Sequence, residues 1–371
     1  MSSEVIDVRR PLRLLAGVFA LILIAGCAPA PAGLQDLLDR WRVRAGVPAV
    51  TVAVGRPGVP LWTGASGSLV RGGVEPAPAE VRLRAGSVTK TFVATVVLQL
   101  AEAGRVRLDE PLRRALPAVP VGGDATVRQV LDHTSGVPDY GRLPELRERL
   151  LAERDRRWSA AEVLALVTGR RAESRPGEAW SYSNTNYVLL GELIRAVTGS
   201  DWATEVRRRV IEPLGLRDTF VAGSEPVPGG LVPGYFDADT DGDSENVWDR
   251  PWPALETSEG AAGAIVSTAA DLARFAVALF EGRLLHPASL AAMVASGPHH
   301  PRFSGYGLGV ELLRPDYETE VWGHGGSLPG FRAALWYLPA TRTTIVVLVN
   351  DARANPADLA ELIMRQLRRR G

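Results

Sequence analysis

Lysine is almost missing from this 371-residue chain. Lys90 is the only one, although Lys and Arg together number 42. A bias that writes arginine for lysine at solvated positions needs no functional cause. A lysine left against that bias marks a place where arginine cannot serve, because a buried amine can lose its proton and a guanidinium cannot. Cysteine is equally scarce. Cys27 stands alone, so no disulfide can close within the chain and no cysteine-rich zinc site can be assembled. Net charge is absent as well, since 42 acidic side chains balance the 42 basic ones. A neutral chain carries no electrostatic footprint for nucleic acid, and no nucleic-acid partner is expected. The long apolar run from Leu14 to Ala25 falls short of the ~20 residues a spanning helix needs.

What is present begins with that run. Arg9, Arg10 and Arg13 precede it, and Ile24-Ala25-Gly26-Cys27 closes it. A basic start, a short apolar stretch and small residues before a cysteine have the form of a bacterial lipoprotein signal. Residues 1–27 are therefore expected to direct export. Cleavage before Cys27 would leave that cysteine as a lipid-modified anchor on the extracytoplasmic side of the membrane. This also accounts for a lone thiol in an exported chain. Two other readings stay open: an incidental cysteine, or ordinary cleavage after Ala32 in Ala30-Pro31-Ala32.

Beyond the small-residue tether the texture divides the chain. Leu34, Leu37, Leu38 and Trp41 mark an amphipathic helix. Ala49 to Gly55 and Leu61 to Gly67 read as strands split by Pro57, Gly58 and Pro60. A helix starts near Ser87, with Phe92, Val93, Val96, Val97 and Leu100 at helical period and Gly104 at its end. From Arg105 to about Leu255 the pattern turns to helices and Pro/Gly loops. Ser159-x-x-Glu162 reads there as a capping box, and a helix through Tyr187 to Val197 closes at Gly199. Pro226 to Pro253 reads as a long loop. Thr268-x-x-Asp271 opens a further helix through Phe280. Arg332–Leu338 and Thr343–Val349 are the strongest strand candidates, and Asn355-Pro356 caps a last helix. The expected fold is α/β (α+β): an antiparallel sheet flanked by helices, built from residues 34–104 and 255–371, with a mainly helical domain of residues 105–254 inserted.

Three short segments could carry chemistry. In Ser87-Val88-Thr89-Lys90 the serine opens a helix, near free N–H groups. The lysine three residues on shares its face, where a desolvated amine can take the serine proton. Taken by itself, Ser87 could equally be a helix N-cap. In Tyr182-Ser183-Asn184 a phenol and an amide can enter one pocket, or Asn184 can cap the next helix. In Gly323-His324-Gly325-Gly326-Ser327 glycines let a backbone approach a ligand closely, or simply make a turn.

The three segments in this order resemble the penicillin-binding and class C β-lactamase superfamily of serine hydrolases, whose Ser-x-x-Lys, Tyr-x-Asn and [Lys/His]-x-Gly elements they match. Leu131 to Gly136, Tyr182 to Gly191, Gly260 to Phe275 and Tyr306 to Gly309 extend the similarity over nearly all the chain after Leu34. The resemblance implies an acyl-enzyme on Ser87, with Lys90 and Tyr182 sharing base and proton-donor work. It implies that Asn184 holds Lys90 and contacts substrate, and that His324, Gly326 and Ser327 line the substrate site. The N–H groups of Ser87 and Ser327 would form an oxyanion hole. It implies no cofactor and no metal, a monomer, and a small-molecule or peptidoglycan-derived substrate such as an ester, an amide, a β-lactam or a D-alanyl-D-alanine peptide. The alternative is an idle penicillin-binding or ligand-sensing envelope lipoprotein. Gly325 stands where relatives carry a hydroxyl that helps hold a substrate carboxylate, and His324 stands for a lysine, an imidazole with an unperturbed pKa of ~6.5 that is expected to be only partly charged near neutral pH. Short acyl esters are therefore expected to outrun penicillins and D-alanyl-D-alanine peptides. Gly325→Thr is the remedy this reading suggests, and Arg332 is another conceivable carboxylate partner.

Two further groups have a structural reading. His133 in Leu131-Asp132-His133-Thr134-Ser135-Gly136 is expected to be a satisfied structural residue. Asp237-x-Asp239-x-Asp241 begins like a calcium loop, but position twelve would be Trp248, so a solvated acidic loop is expected.

Overall fold

The computed structural model describes residues 33–230, 232–239, 241–295, 297, 305–314 and 319–369. The segment expected to be an export signal, with Cys27, and the pair His299-His300 lie outside them. Among the described residues no helix is long and apolar enough to cross a membrane.

Seven strands form one antiparallel sheet. From edge to edge they run Val59–Gly67, Ala49–Arg56, Thr343–Val349, Phe331–Leu338, Val321–Leu328, Glu311–Leu313 and Gly305–Tyr306. The two ends of the chain meet in the middle of the sheet, where Val50 pairs with Val349 and Val54 with Ile345. These central strands are buried on both faces, which is why they read as nearly unbroken apolar runs rather than alternating ones.

Period-two alternation distributes them. Val50, Val52, Val54, Ile345 and Val347 face the Leu34–Ala45 and Pro356–Arg368 helices, through Leu38, Trp41, Leu359 and Ile363. Ala53, Val346 and Leu348 face the main core with Phe92, Phe275 and Leu279. Each fully buried leucine, valine or phenylalanine there is worth about 1.5–3 kcal/mol of transfer free energy. The Thr89–Glu102 helix lies inside this core with little polar surface: Phe92, Val93, Val96, Val97 and Leu100 are all at 0% exposure.

The helical layer follows the sequence signals. Ser159 forms its capping box with Glu162, and Gly199 closes the Asn184–Thr198 helix at φ 79°. A second capping box at Thr126 and Gln129 opens the short Val127–Leu131 helix. The Pro226 to Pro253 stretch differs from a plain loop: Tyr235–Phe236 and Glu245–Asn246 pair as a short ribbon. At its tip the carboxylates of Asp237, Asp239 and Asp241 converge within 4.8 Å of one another. All three accept loop amides: Asp237 from Gly242, Asp239 from Asp241 and Asp241 from Asp243. Trp248 is buried, with Nε1 donating to the Pro329 carbonyl at 2.8 Å.

Candidate active site

Ser87 sits in the turn Gly86–Val88, which feeds the Thr89–Glu102 helix. Gly86 takes φ 52°, and a Cβ on it would stand 2.8 Å from the Ser327 nitrogen. Glycine therefore serves twice: it adopts the left-handed conformation, and it lets the turn lie against the Val321–Leu328 strand. Ser87 does not cap the helix. Its hydroxyl is the meeting point of two donors.

Lys90, one turn on, is wholly buried. Its Nζ lies 3.1 Å from Ser87 Oγ, 2.8 Å from Asn184 Oδ1 and 2.8 Å from the Ala262 carbonyl. Tyr182, in the loop before the Asn184–Thr198 helix, donates its hydroxyl to Ser87 Oγ at 2.9 Å. Asn184 is the first residue of that helix, with Ser183 at the N-cap position, so its side chain is free for the site. The three segments that lie far apart in sequence thus meet at one oxygen.

The electrostatics divide labour between the two groups on Ser87. Burial pushes Lys90 down from 10.5 to about 8, although Glu259, Asp139 and Glu311 nearby favour its charged form. Burial pushes the Tyr182 phenol well above its ordinary 10, against the pull of its bond to Ser87. Near neutral pH the phenol keeps its proton, and the amine is the group that can be free to accept one.

Several residues that sequence reasoning left out support this arrangement. Asp139 is buried and accepts from the Asn184 backbone at 3.0 Å and from its Nδ2 at 3.2 Å. That leaves the amide oxygen facing Lys90. Glu259 precedes Gly260, which breaks the Pro253–Gly263 helix with φ 41° and ψ −128°. The break lets Ala262 turn its carbonyl to Lys90. Burial pushes Glu259 up to about 7, with Lys90 opposing and Asp139 adding to the rise. The family resemblance of Gly260 to Phe275 was the sequence signal for this corner. A lone carboxylate before it gave none.

His133 is structural in position but not fully satisfied. It holds φ 64°, and its Nδ1 accepts from the Ser183 backbone at 3.1 Å. The proton therefore sits on Nε2, which is buried without a partner. Burial holds the ring neutral. The ring packs against Tyr182 with centroids 4.3 Å apart and backs the phenol from behind.

On the strand, His324 is buried at 1% exposure. Its Nδ1 lies 2.6 Å from the Gly325 carbonyl, which can only accept, so Nδ1 carries the proton. Nε2 then accepts from the Tyr306 hydroxyl at 2.9 Å. Burial, reinforced by Lys90, pushes His324 down to about 3. A partly charged imidazole was expected from the sequence; the structure makes it neutral and engages both nitrogens. Gly326 faces inward, where a Cβ would stand 2.0 Å from the Ala85 carbonyl. Ser327 is exposed at the cleft. Arg332 turns away to the Ala352 carbonyl at 2.9 Å.

Comparison with known proteins shows what the whole chain is similar to. Residues 34–367 match the family model described as Beta-lactamase. Penicillin-binding protein 4 of Amycolatopsis lactamdurans is 29% identical over 342 residues, covering 86% of this chain and 85% of that protein. The crystal structure of a D-stereospecific amidohydrolase from Streptomyces sp. superposes with a TM-score of 0.79 at 33% identity, covering 89% of this chain and 97% of that one. The D-amino acid amidase from Ochrobactrum anthropi SV3 gives a TM-score of 0.80 at 28% identity, covering 91% and 99%.

Proposed function

The chain belongs to the beta-lactamase family, and from that premise we propose that it hydrolyses amides and esters of D-amino acids, with Ser87, Lys90 and Tyr182 as its working groups. That it is a serine hydrolase acting through an acyl-enzyme follows from the family. The D-amino-acid preference is supported by the amidohydrolase and amidase among its structural neighbours. One observation carries the residue roles: Ser87 Oγ is held between an amine at 3.1 Å and a phenol at 2.9 Å.

The steps follow from which group can hold the proton. Neutral Lys90 takes the proton of Ser87 as Oγ attacks the substrate carbonyl. The N–H groups of Ser87 and Ser327 meet the developing oxyanion; a donor of this kind is typically worth ~3–4 kcal/mol. As the C–N or C–O bond breaks, Tyr182 gives its proton to the leaving group and recovers one from Lys90. Water then gives a proton to Lys90 as it attacks the ester. Ser87 leaves with that proton, and the acid is released. Asn184, oriented by Asp139, keeps Lys90 in place throughout.

The test uses D-phenylalaninamide and p-nitrophenyl acetate with wild type and Ser87→Ala. Ser87→Ala is expected to lose about 10³-fold or more in kcat/KM on both, with the melting temperature unchanged. Intact-mass spectra of the wild type should show an acyl adduct. Retained activity in a folded Ser87→Ala protein would overturn the assignment. Ester turnover with no turnover of the amide would overturn the amide reading alone. Binding without adduct or turnover would return the idle lipoprotein.

The site of action is proposed to be extracytoplasmic, with the chain held to the membrane by a lipid on Cys27. The basic start, short apolar run and Ile24-Ala25-Gly26-Cys27 support it. Cys27→Ser should move the protein out of the membrane fraction or leave it unprocessed. A soluble mature chain beginning at Gly33 would instead show cleavage after Ala32.

A further inference from the structure

Among the described residues the Val321–Leu328 strand has an open edge beside the reaction. Its neighbour Glu311–Leu313 pairs only with Val321, Trp322 and Gly323. Beyond that point the outward backbone groups of the strand face the cleft, and in an antiparallel ladder they recur at every second residue. The Gly325 N–H is outward, since it donates to Glu311 and not to the partner strand. The Ser327 N–H, two residues on, has the same parity.

Glu311 closes part of this edge. Its Oε2 accepts the Gly325 N–H at 3.2 Å, and its Oε1 lies 3.5 Å from His324 Nδ1. The side chain is 10% exposed. Among the described residues no arginine or lysine forms an ion pair with it. His324 is neutral, and Arg142 turns its guanidinium to Asp139 at 3.6 Å. Next to the third motif the cleft therefore holds a buried carboxyl group with no arginine or lysine in salt-bridge contact among the described residues, although the Lys90 charge acts on it from further off.

Tyr182 places this carboxylate in the reaction. Under the roles given above, on which this inference rests, Tyr182 protonates the departing atom. Its ring lies 6.4 Å from that of His324, and the Glu311 charge acts on its phenol. In this inference the leaving group departs toward His324, Gly325 and Glu311.

We propose that Glu311 sets leaving-group specificity: it shuts out leaving groups that carry a carboxylate and admits neutral or cationic ones. It does so in two ways. It takes the edge N–H that an anion could use, and it places like charge where that anion would lie. A side chain at position 325 does not by itself reverse this. A Cβ on Gly325 would stand 3.7 and 3.8 Å from the two Glu311 oxygens, so a threonine hydroxyl there would be bound by Glu311 and not offered to substrate. The family's hydroxyl and this carboxylate are alternatives.

The test uses 4-acetoxybenzoate and 4-acetoxybenzamide, acetate esters whose leaving groups differ in a carboxylate against a carboxamide. Wild type should favour the carboxamide ester at least tenfold in kcat/KM at pH 8. Glu311→Gln keeps an acceptor for the Gly325 N–H and should cut that ratio at least fivefold. Glu311→Gln with Gly325→Thr should cut it further, and Gly325→Thr alone should not. A second readout needs no variant. Burial pushes Glu311 up to about 7, against the Gly325 N–H and Lys90, so the wild-type ratio should shrink from pH 8 to pH 6. The groups facing Glu311 are Lys90, His324, Tyr182 and Tyr306. His324 stays neutral and both phenols stay protonated across that window, while Lys90 acts on both esters alike. Equal wild-type rates on the two esters, or a ratio unmoved by both Glu311→Gln and pH, would overturn the proposal. Carboxamide-ester turnover surviving Ser87→Ala would instead overturn the roles of Ser87 and Tyr182.

Discussion

Lys90 decides more about this site than any other side chain. An ammonium that gives protons to Ser87, Asn184 and the Ala262 carbonyl cannot also accept one. In the proposed mechanism the reactive form is the neutral amine, and its share falls about tenfold per pH unit below about 8. The pH profile of kcat/KM on an uncharged ester should therefore rise to a plateau with a midpoint near 8. Lys90→Arg should be inactive at every pH, since the guanidinium stays charged. A profile with its rising limb near 6 would point to a carboxylate as the base. The same shift affects stability, with a definite sign. The folded state lowers the Lys90 pKa, so between about 8 and 10.5 it binds fewer protons than the unfolded chain. The stability contributed by Lys90 rises with pH through that window and is lowest below 8. Lys90→Met should thus melt above wild type at pH 7, and the gap should close toward pH 10.

At the scale of elements, the site depends on a turn and a strand packed closer than any side chain allows. Gly86 and Gly326 meet where the Gly86–Val88 turn lies on the Val321–Leu328 strand, and a Cβ at 326 would stand 2.0 Å from the Ala85 carbonyl. Neither backbone can yield without parting the amides of Ser87 and Ser327. Gly326→Ala is expected to cost about 1–3 kcal/mol of stability, as overpacking does. Its kcat should fall at least a hundredfold, because an oxyanion donor displaced by about 1 Å loses most of its worth. Full kcat in a soluble Gly326→Ala protein would show that the two elements need not touch. Much at this scale was legible. The capping signals of Ser159, Thr268 and Asn355, and the closing Gly199, lie where the sequence puts them, because a cap needs only its own helix. The Tyr235–Phe236 ribbon was not legible, since a two-residue strand has too short a period to detect.

At the scale of the whole molecule, the chain ends are tied by Asn350, buried at 0% exposure just after the central Thr343–Val349 strand. Its Oδ1 accepts the Ala49 N–H at 3.0 Å, and its Nδ2 donates to the carbonyls of Leu69 at 2.9 Å and Pro233 at 3.0 Å. One amide thus joins the N-terminal strands, the C-terminal strands and the ribbon region. Asn350→Ala leaves one buried and two half-buried backbone groups without that partner. At ~1–3 kcal/mol for each unsatisfied group, less what water recovers, the unfolding free energy should drop by about 3 kcal/mol or more. Urea titration measures it; a loss under about 1 kcal/mol would mean that the ends are held by the sheet alone. Asn350 has no sequence signature, since a polar residue after a strand reads as a turn.

The sequence by itself determined the main strands and helices and the sheet made from both chain ends. Those readings rest on local period and capping chemistry, each written within a few neighbouring residues, whereas the trio of Ser87, Lys90 and Tyr182 was singled out by the family resemblance of three motifs that are weak one by one. Only the tertiary structure decided the charges. Whether His324 is an imidazolium, whether Lys90 or Tyr182 can hold a proton, and whether Glu311 and Asp139 belong to the site all depend on burial and on groups tens to hundreds of residues away. Desolvation and Coulomb interactions act through space, so the same histidine reads as a partial cation in the sequence and stands as a neutral link between Tyr306 and Gly325 in the fold.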